Sequence, residues 1–286
     1  MAIEFHKYHG TGNDFILIDD RQERIDITVS QAVFSAWCDR HTGIGADGII
    51  LLRNAGNGGP EAGNGDHEAG SAGLEMVFFN ADGRPGSMCG NGARCFTAFA
   101  DTLNLIGPQF SFLAPDGTHE AGIAGRNGQL WDVWVRLKDV LRPVQVPGQK
   151  EALTYYAHTG SPHLVVFAEG VEEMDVFHEG RRIRNLPEYR EKGINVNFAE
   201  IREQGTLFVR TYERGVENET LSCGTGVTSA AISYMQLYPD MEIRIVRIVT
   251  RGGELRVSFT PPGPAGDTYS DVSLRGPARL VFSGRI

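Results

Sequence analysis

The sequence predicts an α+β protein made of two similar halves, each a sheet wrapped around one long helix. Three observations carry that expectation. Short apolar runs and period-two alternations outnumber helical stretches along the 286 residues. The helical stretches are few, with about one long one in each half. Several short phrases of the first half return, in the same order, in the second.

The elements follow in order. Phe15-Ile16-Leu17-Ile18, Gly48-Ile49-Ile50-Leu51-Leu52, Met76-Val77-Phe78-Phe79 and His163-Leu164-Val165-Val166-Phe167 read as buried strands. Residues 131–137 alternate, with Trp131, Val133, Val135 and Leu137 on one face, as a half-buried strand does. Residues 207–212 and 255–259 read the same way. Helices are expected over 30–40, with Ser30 as N-cap, and over 93–103 and 227–237. Residues 54–73, nearly all Gly, Ala, Asn and acidic, read as an exposed loop between strands. Gly56-Asn57-Gly58-Gly59 lacks the following Lys and helix of a phosphate loop.

The repeat fixes the expected domains. Thr11-Gly12-Asn13-Asp14-Phe15 is answered by Thr159-Gly160-Ser161-Pro162-His163, and Gly43-Ile44-Gly45-Ala46-Asp47 by Gly193-Ile194-Asn195-Val196-Asn197. Phe79-Asn80-Ala81-Asp82-Gly83 is answered by Tyr212-Glu213-Arg214-Gly215, and Cys89-Gly90-Asn91-Gly92 by Cys223-Gly224-Thr225-Gly226. With the crossover in the glycines at 125–128, the domains are 1–126, joined by a returning last strand at 278–286, and 127–277.

Composition narrows the function. A net charge of −9 without a Lys/Arg-dense run argues against nucleic acid, and no apolar run is long enough for a bilayer. The N-terminus lacks the basic and long apolar segments of a secretory signal, which points to the cytoplasm, where four cysteines are expected as thiols. Lys7, Lys138, Lys150 and Lys192 lie outside glycine-rich motifs, so carbanion chemistry here is expected without pyridoxal phosphate or another cofactor. No two cysteines are closely paired as in a zinc site, and no metal is expected.

A cysteine just before a helix sits near unpaired backbone N–H groups and the positive end of the dipole, both of which favour thiolate. Gly90, Gly92, Gly224 and Gly226 let a carboxylate approach those N–H groups. Two such thiols suit removal of an α-proton on one face and delivery on the other, with the N–H groups stabilising the enolate-like charge. One cysteine in a tight turn is explained as well by its small size, but the matched pair is not. Cys38 and Cys95 lack the glycine turn and read as packing residues. His163 and Glu213 are candidates to take or relay a proton, Arg214 to hold a carboxylate, and Asn13, Asn80, Asn91 and Asn195 to bind both ends of an amino acid. Each also has an ordinary reading as a turn or surface residue.

Together the phrases resemble the diaminopimelate epimerases over nearly the whole chain, adding Asp39-Arg40-His41-Thr42, Met88-Cys89 and Ala93-Arg94-Cys95 to those above. The resemblance implies a cofactor-free isomerase of lysine and cell-wall precursor synthesis that converts LL-diaminopimelate to the meso form. It implies two similar domains, each a mostly antiparallel sheet around a central helix, with the active site in the interdomain cleft. The family's catalytic cysteines fall on Cys89 and Cys223, with His163 and Glu213 beside them. Its substrate contacts fall on Asn13, Asn80, Gly90, Asn91, Asn195, Glu213, Arg214, Gly224 and Thr225. Ser161 stands where the family commonly has Asn, and Gly48 where some members have Gln.

Three other readings remain. A proline racemase relative would have His where this chain has Asn91. A cysteine hydrolase using His163 would leave the second cysteine turn unexplained. A binding module would keep its affinity with serine at both positions. Partners beyond the small-molecule substrate are not expected, and a homodimer is one open state of assembly.

Overall fold

The computed structural model describes residues 2–27, 30–56, 73–147, 152–239 and 241–286. The expected loop at 54–73 lies mostly outside them. The chain forms two compact units, Met1–Val135 with Gly276–Ile286, and Arg136–Arg275. This division falls nine residues after the expected 126/127. Gly128, at φ +60°, turns a hairpin rather than a crossover.

The first unit runs β1 (Glu4–Gly10), β2 (Asn13–Asp19), α1 (Gln31–Cys38), β3 (Gly48–Asn54), β4 (Leu74–Asn80), α2 (Gly90–Thr102), β5 (Gln109–Ala114), β6 (Gly117–Asn127) and β7 (Leu130–Arg136). Neighbouring strands pair in chain order: antiparallel, parallel, antiparallel, parallel, antiparallel, antiparallel. Helix α2 is buried on every side from Gly90 to Ala100, as a helix wrapped by sheet must be. Phe96 meets Phe112 at 5.1 Å between ring centres, and Tyr8 meets Phe99 and Trp131 at 6.0 and 5.9 Å. Each such ring contributes about 1.5–3 kcal/mol by burial. On the α1 side, Ile16, Ile18, Ile49, Leu51 and Phe79 form one apolar cluster with Phe34. Strands β2 and β3 are therefore covered on both faces, which explains their unbroken apolar runs.

The second unit runs β8 (Val140–Leu141), β9 (Val144–Val146), β10 (Thr154–His158), β11 (Pro162–Phe167), α3 (Val176–Arg184), β12 (Asn195–Glu203), β13 (Thr206–Glu213), β14 (Asn218–Thr220), α4 (Gly224–Leu237), β15 (Ile245–Thr250), β16 (Gly253–Thr260) and β17 (Thr268–Arg285). From β10, and with β14 set aside, the pairings repeat the first unit's succession through β11, β12, β13, β15, β16 and β17. Helices α3 and α4 interrupt the series where α1 and α2 do. The far end of β17 pairs with β1 inside the first unit.

Four details differ from expectation. Helix α3 has no counterpart among the expected helices, because Gly180 breaks its pattern. A Cβ there would lie 2.4 Å from Tyr212 Cβ, so close helix-on-strand packing requires the glycine. Strand β13 is buried on both faces except at Glu213, not half-buried, because α3 covers its second side. Ser30 precedes α1, but its hydroxyl donates to the Ile27 carbonyl and caps no helical N–H. The repeat also shifts. Phe15 lies opposite Gly48 and His163 opposite Asn195, so Gly48, not Gly45, is the counterpart of Asn195.

Among the described residues no helix is long and apolar enough to cross a membrane.

Candidate functional site

Each unit places one cysteine at the N-cap of its buried helix, with almost the same backbone. Cys89 has φ −121° and ψ 118°, and Cys223 has φ −114° and ψ 114°. In each, the cysteine carbonyl accepts the first helical hydrogen bond, from Ala93 N–H and Val227 N–H. Neither sulfur caps its helix. The helix-opening N–H groups of Gly90–Gly92 and Gly224–Gly226 have no acceptor within their own helices, the setting that binds carboxylates. Gly90 and Gly224 open the helices and are buried.

The second-half glycine is the tighter one. A Cβ at Gly226 would lie 2.3 Å from Asn197 Oδ1 and 3.2 Å from Cys223 Cβ, whereas one at Gly92 meets the flexible Ile50 Cδ1 at 3.1 Å. Gly226→Ala is therefore expected to cost about 1–3 kcal/mol and to displace Cys223, and Gly92→Ala to cost less. Urea midpoints and turnover of both variants test the contrast. Equal effects would contradict it.

In the first unit, Cys89 Sγ donates to Asn13 Oδ1 at 3.7 Å, and Asn91 Nδ2 donates to the same oxygen at 3.3 Å. Asn13 Nδ2 donates to Asp47 Oδ2 at 2.7 Å, so its amide is oriented from both ends. Asp47 and Asp14 share Arg40, and Asp14 also pairs with Lys7 at 2.7 Å. Burial works against ionisation of Asp14, but hydrogen bonds from Arg40 and Lys7 outweigh it and hold the carboxyl well below its usual range. Asn91 Oδ1 accepts from Arg94 Nη2 at 2.9 Å and from Thr11 Oγ1 at 3.4 Å. Arg94 is fully buried and also donates to the Gly90 and Pro277 carbonyls. Asn80 stands apart. It is exposed, and its amide donates to the Arg84 and Pro85 carbonyls of its own loop.

In the second unit, Cys223 Sγ lies 3.5 Å from Thr225 Oγ1, which lies 2.9 Å from His163 Nε2. Ser161 Oγ is also 2.9 Å from that nitrogen and accepts from Asn195 Nδ2 at 3.1 Å. Ser161 thus joins this cluster through its hydroxyl. Thr159 Oγ1 donates to the Thr225 carbonyl, fixing the loop. Asn195 Oδ1 accepts from Arg214 N–H at 2.9 Å. The Arg214 guanidinium donates to the Lys192 carbonyl, and its stem crosses Gly193, where a Cβ would lie 2.3 Å away. Glu213 Oε1 accepts from Thr220 Oγ1 at 2.6 Å.

His163 is fully buried, and burial first, then the charges of His158 and Arg214, push its pKa down to about 3. The fold holds the neutral ring, while the unfolded chain takes up a proton near pH 6.5. The resulting stability is complete above pH 6.5 and is lost progressively as pH falls towards 3. Below pH 6.5 the slope from this residue approaches about 1.4 kcal/mol per pH unit. Urea titrations at several pH values should show that component removed in His163→Gln. An unchanged slope would contradict it.

Thr11, Asp47, Arg94 and Asn197 are site neighbours that sequence reasoning did not single out. Asn197 carried a usable signal, since Asn195 and Asn197 share one face of the buried first half of β12, where their neighbours Val196, Phe198 and Ala199 are apolar. The Cys38 and Cys95 thiols are buried, and burial raises both, Cys38 to about 11. Among the described residues no three His, Cys, Asp or Glu side chains gather as metal ligands would.

Comparison with known proteins agrees with this architecture. The sequence model of the family described as diaminopimelate epimerase matches residues 5–130 and 155–281. A diaminopimelate epimerase of Flavobacterium psychrophilum is 38% identical over 99% of this chain and 100% of its own length. One of Aquifex aeolicus is 37% identical over 99% of this chain and 98% of its own. Among solved structures, a Bacillus anthracis phenazine biosynthesis protein of the PhzF family shares the fold at a TM-score of 0.74 and 12% identity, covering 100% of this chain and 99% of that one. A hydroxyproline epimerase of Agrobacterium vitis does so at 0.68 and 13%, covering 100% and 92%. On its sequence match across both repeats, the chain belongs to the diaminopimelate epimerase family.

Proposed function

We propose that this protein interconverts LL- and meso-diaminopimelate, with Cys89 and Cys223 as the two proton-transfer groups. The observation that carries this is the pair of cysteines at equivalent places of a repeated topology, with matching backbone angles, at the N-termini of the two buried helices.

Inverting a carbon by proton transfer requires one group to take the proton and another to deliver one on the opposite face. A thiolate and a thiol meet that need, and together the two sulfurs hold one proton. After each turnover their roles are exchanged, so the LL and meso isomers bind opposite protonation forms. The substrate carboxylate beside the reacting carbon suits the N–H groups of Gly90–Gly92 and Gly224–Gly226, which strengthen their hold as negative charge spreads onto it.

Asn13, Asn80, Asn91, Asn195, Glu213, Arg214 and Thr225 are assigned to substrate recognition. A second amino-acid end offers an ammonium and a carboxylate, which suits amide oxygens and Glu213 on one side and amide nitrogens and Arg214 on the other. Glu213 and His163 are assigned to proton management beside the thiols. The cytoplasm is the proposed compartment, where thiol chemistry is preserved.

Proton NMR of the purified protein with LL-diaminopimelate in D₂O, without added cofactor, tests this reading. The α-proton signal should disappear as the meso isomer appears. No exchange in reduced, folded protein would overturn it and favour proline-like substrates.

A further inference from the structure

His163 has the appearance of a general base for the Cys223 thiol, but its hydrogen bonds point the other way. Asn197, fully buried on β12, decides the matter. Its Nδ2 lies 2.9 Å from the Leu164 carbonyl and 3.0 Å from His163 Nδ1, and its Oδ1 accepts from Thr211 Oγ1 at 2.9 Å. A carbonyl only accepts, so the amide atom facing Leu164 is the nitrogen, and the Thr211 hydroxyl donates to the oxygen on the other side. The nitrogen faces the ring. Asn197 therefore donates to Nδ1, which carries no proton.

A neutral imidazole has one N–H, so the proton sits on Nε2. Nε2 faces the hydroxyls of Thr225 and Ser161, both at 2.9 Å. The Asn195 amide nitrogen, at 3.5 Å, is a donor engaged with Ser161 and the Pro162 carbonyl. A chain of donors is thereby open: Asn197 to His163, His163 to Thr225, and Thr225, whose hydroxyl has Cys223 Sγ at 3.5 Å and Ser161 Oγ at 3.4 Å, to Cys223. No carboxylate hydrogen-bonds the ring among the described residues. His158 on β10 and Arg214 after β13 are the groups whose electrostatics act on it, and both oppose an imidazolium.

We propose that Asn197 is a positioning residue that locks His163 in the Nε2–H form, so that the histidine donates through Thr225 to stabilise the Cys223 thiolate and does not take its proton. A base at this place would need an unprotonated nitrogen facing Thr225, and the Asn197 amide forbids it. Ser161 gives the same Nε2–H a second acceptor. The inference deepens the proposed function, and rests on it for the use to which the Cys223 thiolate is put.

Two measurements on the protein without substrate test it, so its failure is distinguishable from failure of the substrate assignment. Two-bond proton–nitrogen correlation spectra of ¹⁵N-histidine-labelled protein report which ring nitrogen of His163 carries hydrogen. The pattern should be Nε2–H, unchanged from pH 8 to pH 5. A proton on Nδ1, or titration near pH 6.5, would overturn the proposal. Asn197→Asp places an acceptor against Nδ1 and should move the proton there, leaving Nε2 as an acceptor. Alkylation of Cys223, resolved by mass, should then shift its pH profile upward by about one unit, a roughly tenfold loss of thiolate at fixed pH. Thr225→Val should shift the profile the same way without changing the tautomer. An unmoved profile in Thr225→Val, or in an Asn197→Asp protein whose tautomer has changed, would overturn it. If Asn197→Asp does not fold, the wild-type tautomer and Thr225→Val still decide the question.

Discussion

Cys89→Ser and Cys223→Ser are each expected to slow epimerisation by about 10²–10⁴-fold, the range a positioned proton-transfer group contributes. Serine keeps the size of the side chain at the helix N-cap and is itself a good cap, so folding should survive. What is lost is acidity. A hydroxyl does not ionise near neutral pH, so one member of the pair can neither take nor return the α-proton at a useful rate. Both directions of the reaction should suffer in both variants, because the proposed two-base exchange makes each sulfur a base in one direction and an acid in the other. Cys38→Ser and Cys95→Ser are the internal comparison, since burial holds those thiols protonated. Steady-state turnover beside urea midpoints checks the set. Full activity in either Cys89→Ser or Cys223→Ser would contradict the two-base assignment.

The second large effect is expected at Arg94, where Arg94→Met should cost about 3–5 kcal/mol of stability, since several buried acceptors lose their donor at about 1–3 kcal/mol each. The guanidinium is wholly buried, and it donates to Asn91 Oδ1, Thr11 Oγ1 and the carbonyls of Gly90 and Pro277. Burial lowers its pKa to about 10, with the Cys95 and Cys89 sulfurs favouring its charge. Methionine fills part of the volume but leaves buried acceptors without donors, the costly side of hydrogen bonding. The Asn91 amide would also lose its orientation, and with it the donor it presents to Asn13 beside Cys89. Arg94→Lys should fall between, because one ammonium cannot serve acceptors spread around a planar fork. Denaturant unfolding checks the order. A loss below about 1 kcal/mol in Arg94→Met would show that the guanidinium does not hold this corner of the unit.

The parts of the fold legible in the sequence are those where one physical requirement dominates. Strands β2, β3 and β11 are buried on both faces, and their apolar runs say so directly. The buried helices α2 and α4 announce themselves by a glycine turn followed by small and apolar residues. Helix α3 was hidden because packing on Tyr212 demands a glycine at 180, which lowers helix propensity where the helix forms. Its start was encoded in Asp175, whose side chain accepts from His178 N–H.

The same holds at the site. The repeated Cys-Gly-X-Gly phrase is visible because a helix N-terminus and close backbone approach both restrict the residues there. Arg94 was not visible, since an arginine in a helix reads as solvated until the surrounding sheet is known. The partner of Asn197 is not legible until β12 pairs with β11, which sets Asn197 opposite Val165 and brings its amide to 3.0 Å from His163 Nδ1. The local setting of Asn80, whose amide donates to the Arg84 and Pro85 carbonyls of its own loop, is likewise not legible from its residue type.

The most direct test of the two-base reaction is the isotope content of substrate and product at low conversion in D₂O. Two proton-transfer groups on opposite faces predict meso product that carries deuterium at the inverted carbon, beside recovered LL substrate that still holds protium. Protium carried over into the product, or deuterium appearing at equal rates in substrate and product, would show a single group serving both faces and would contradict the assignment of Cys89 and Cys223.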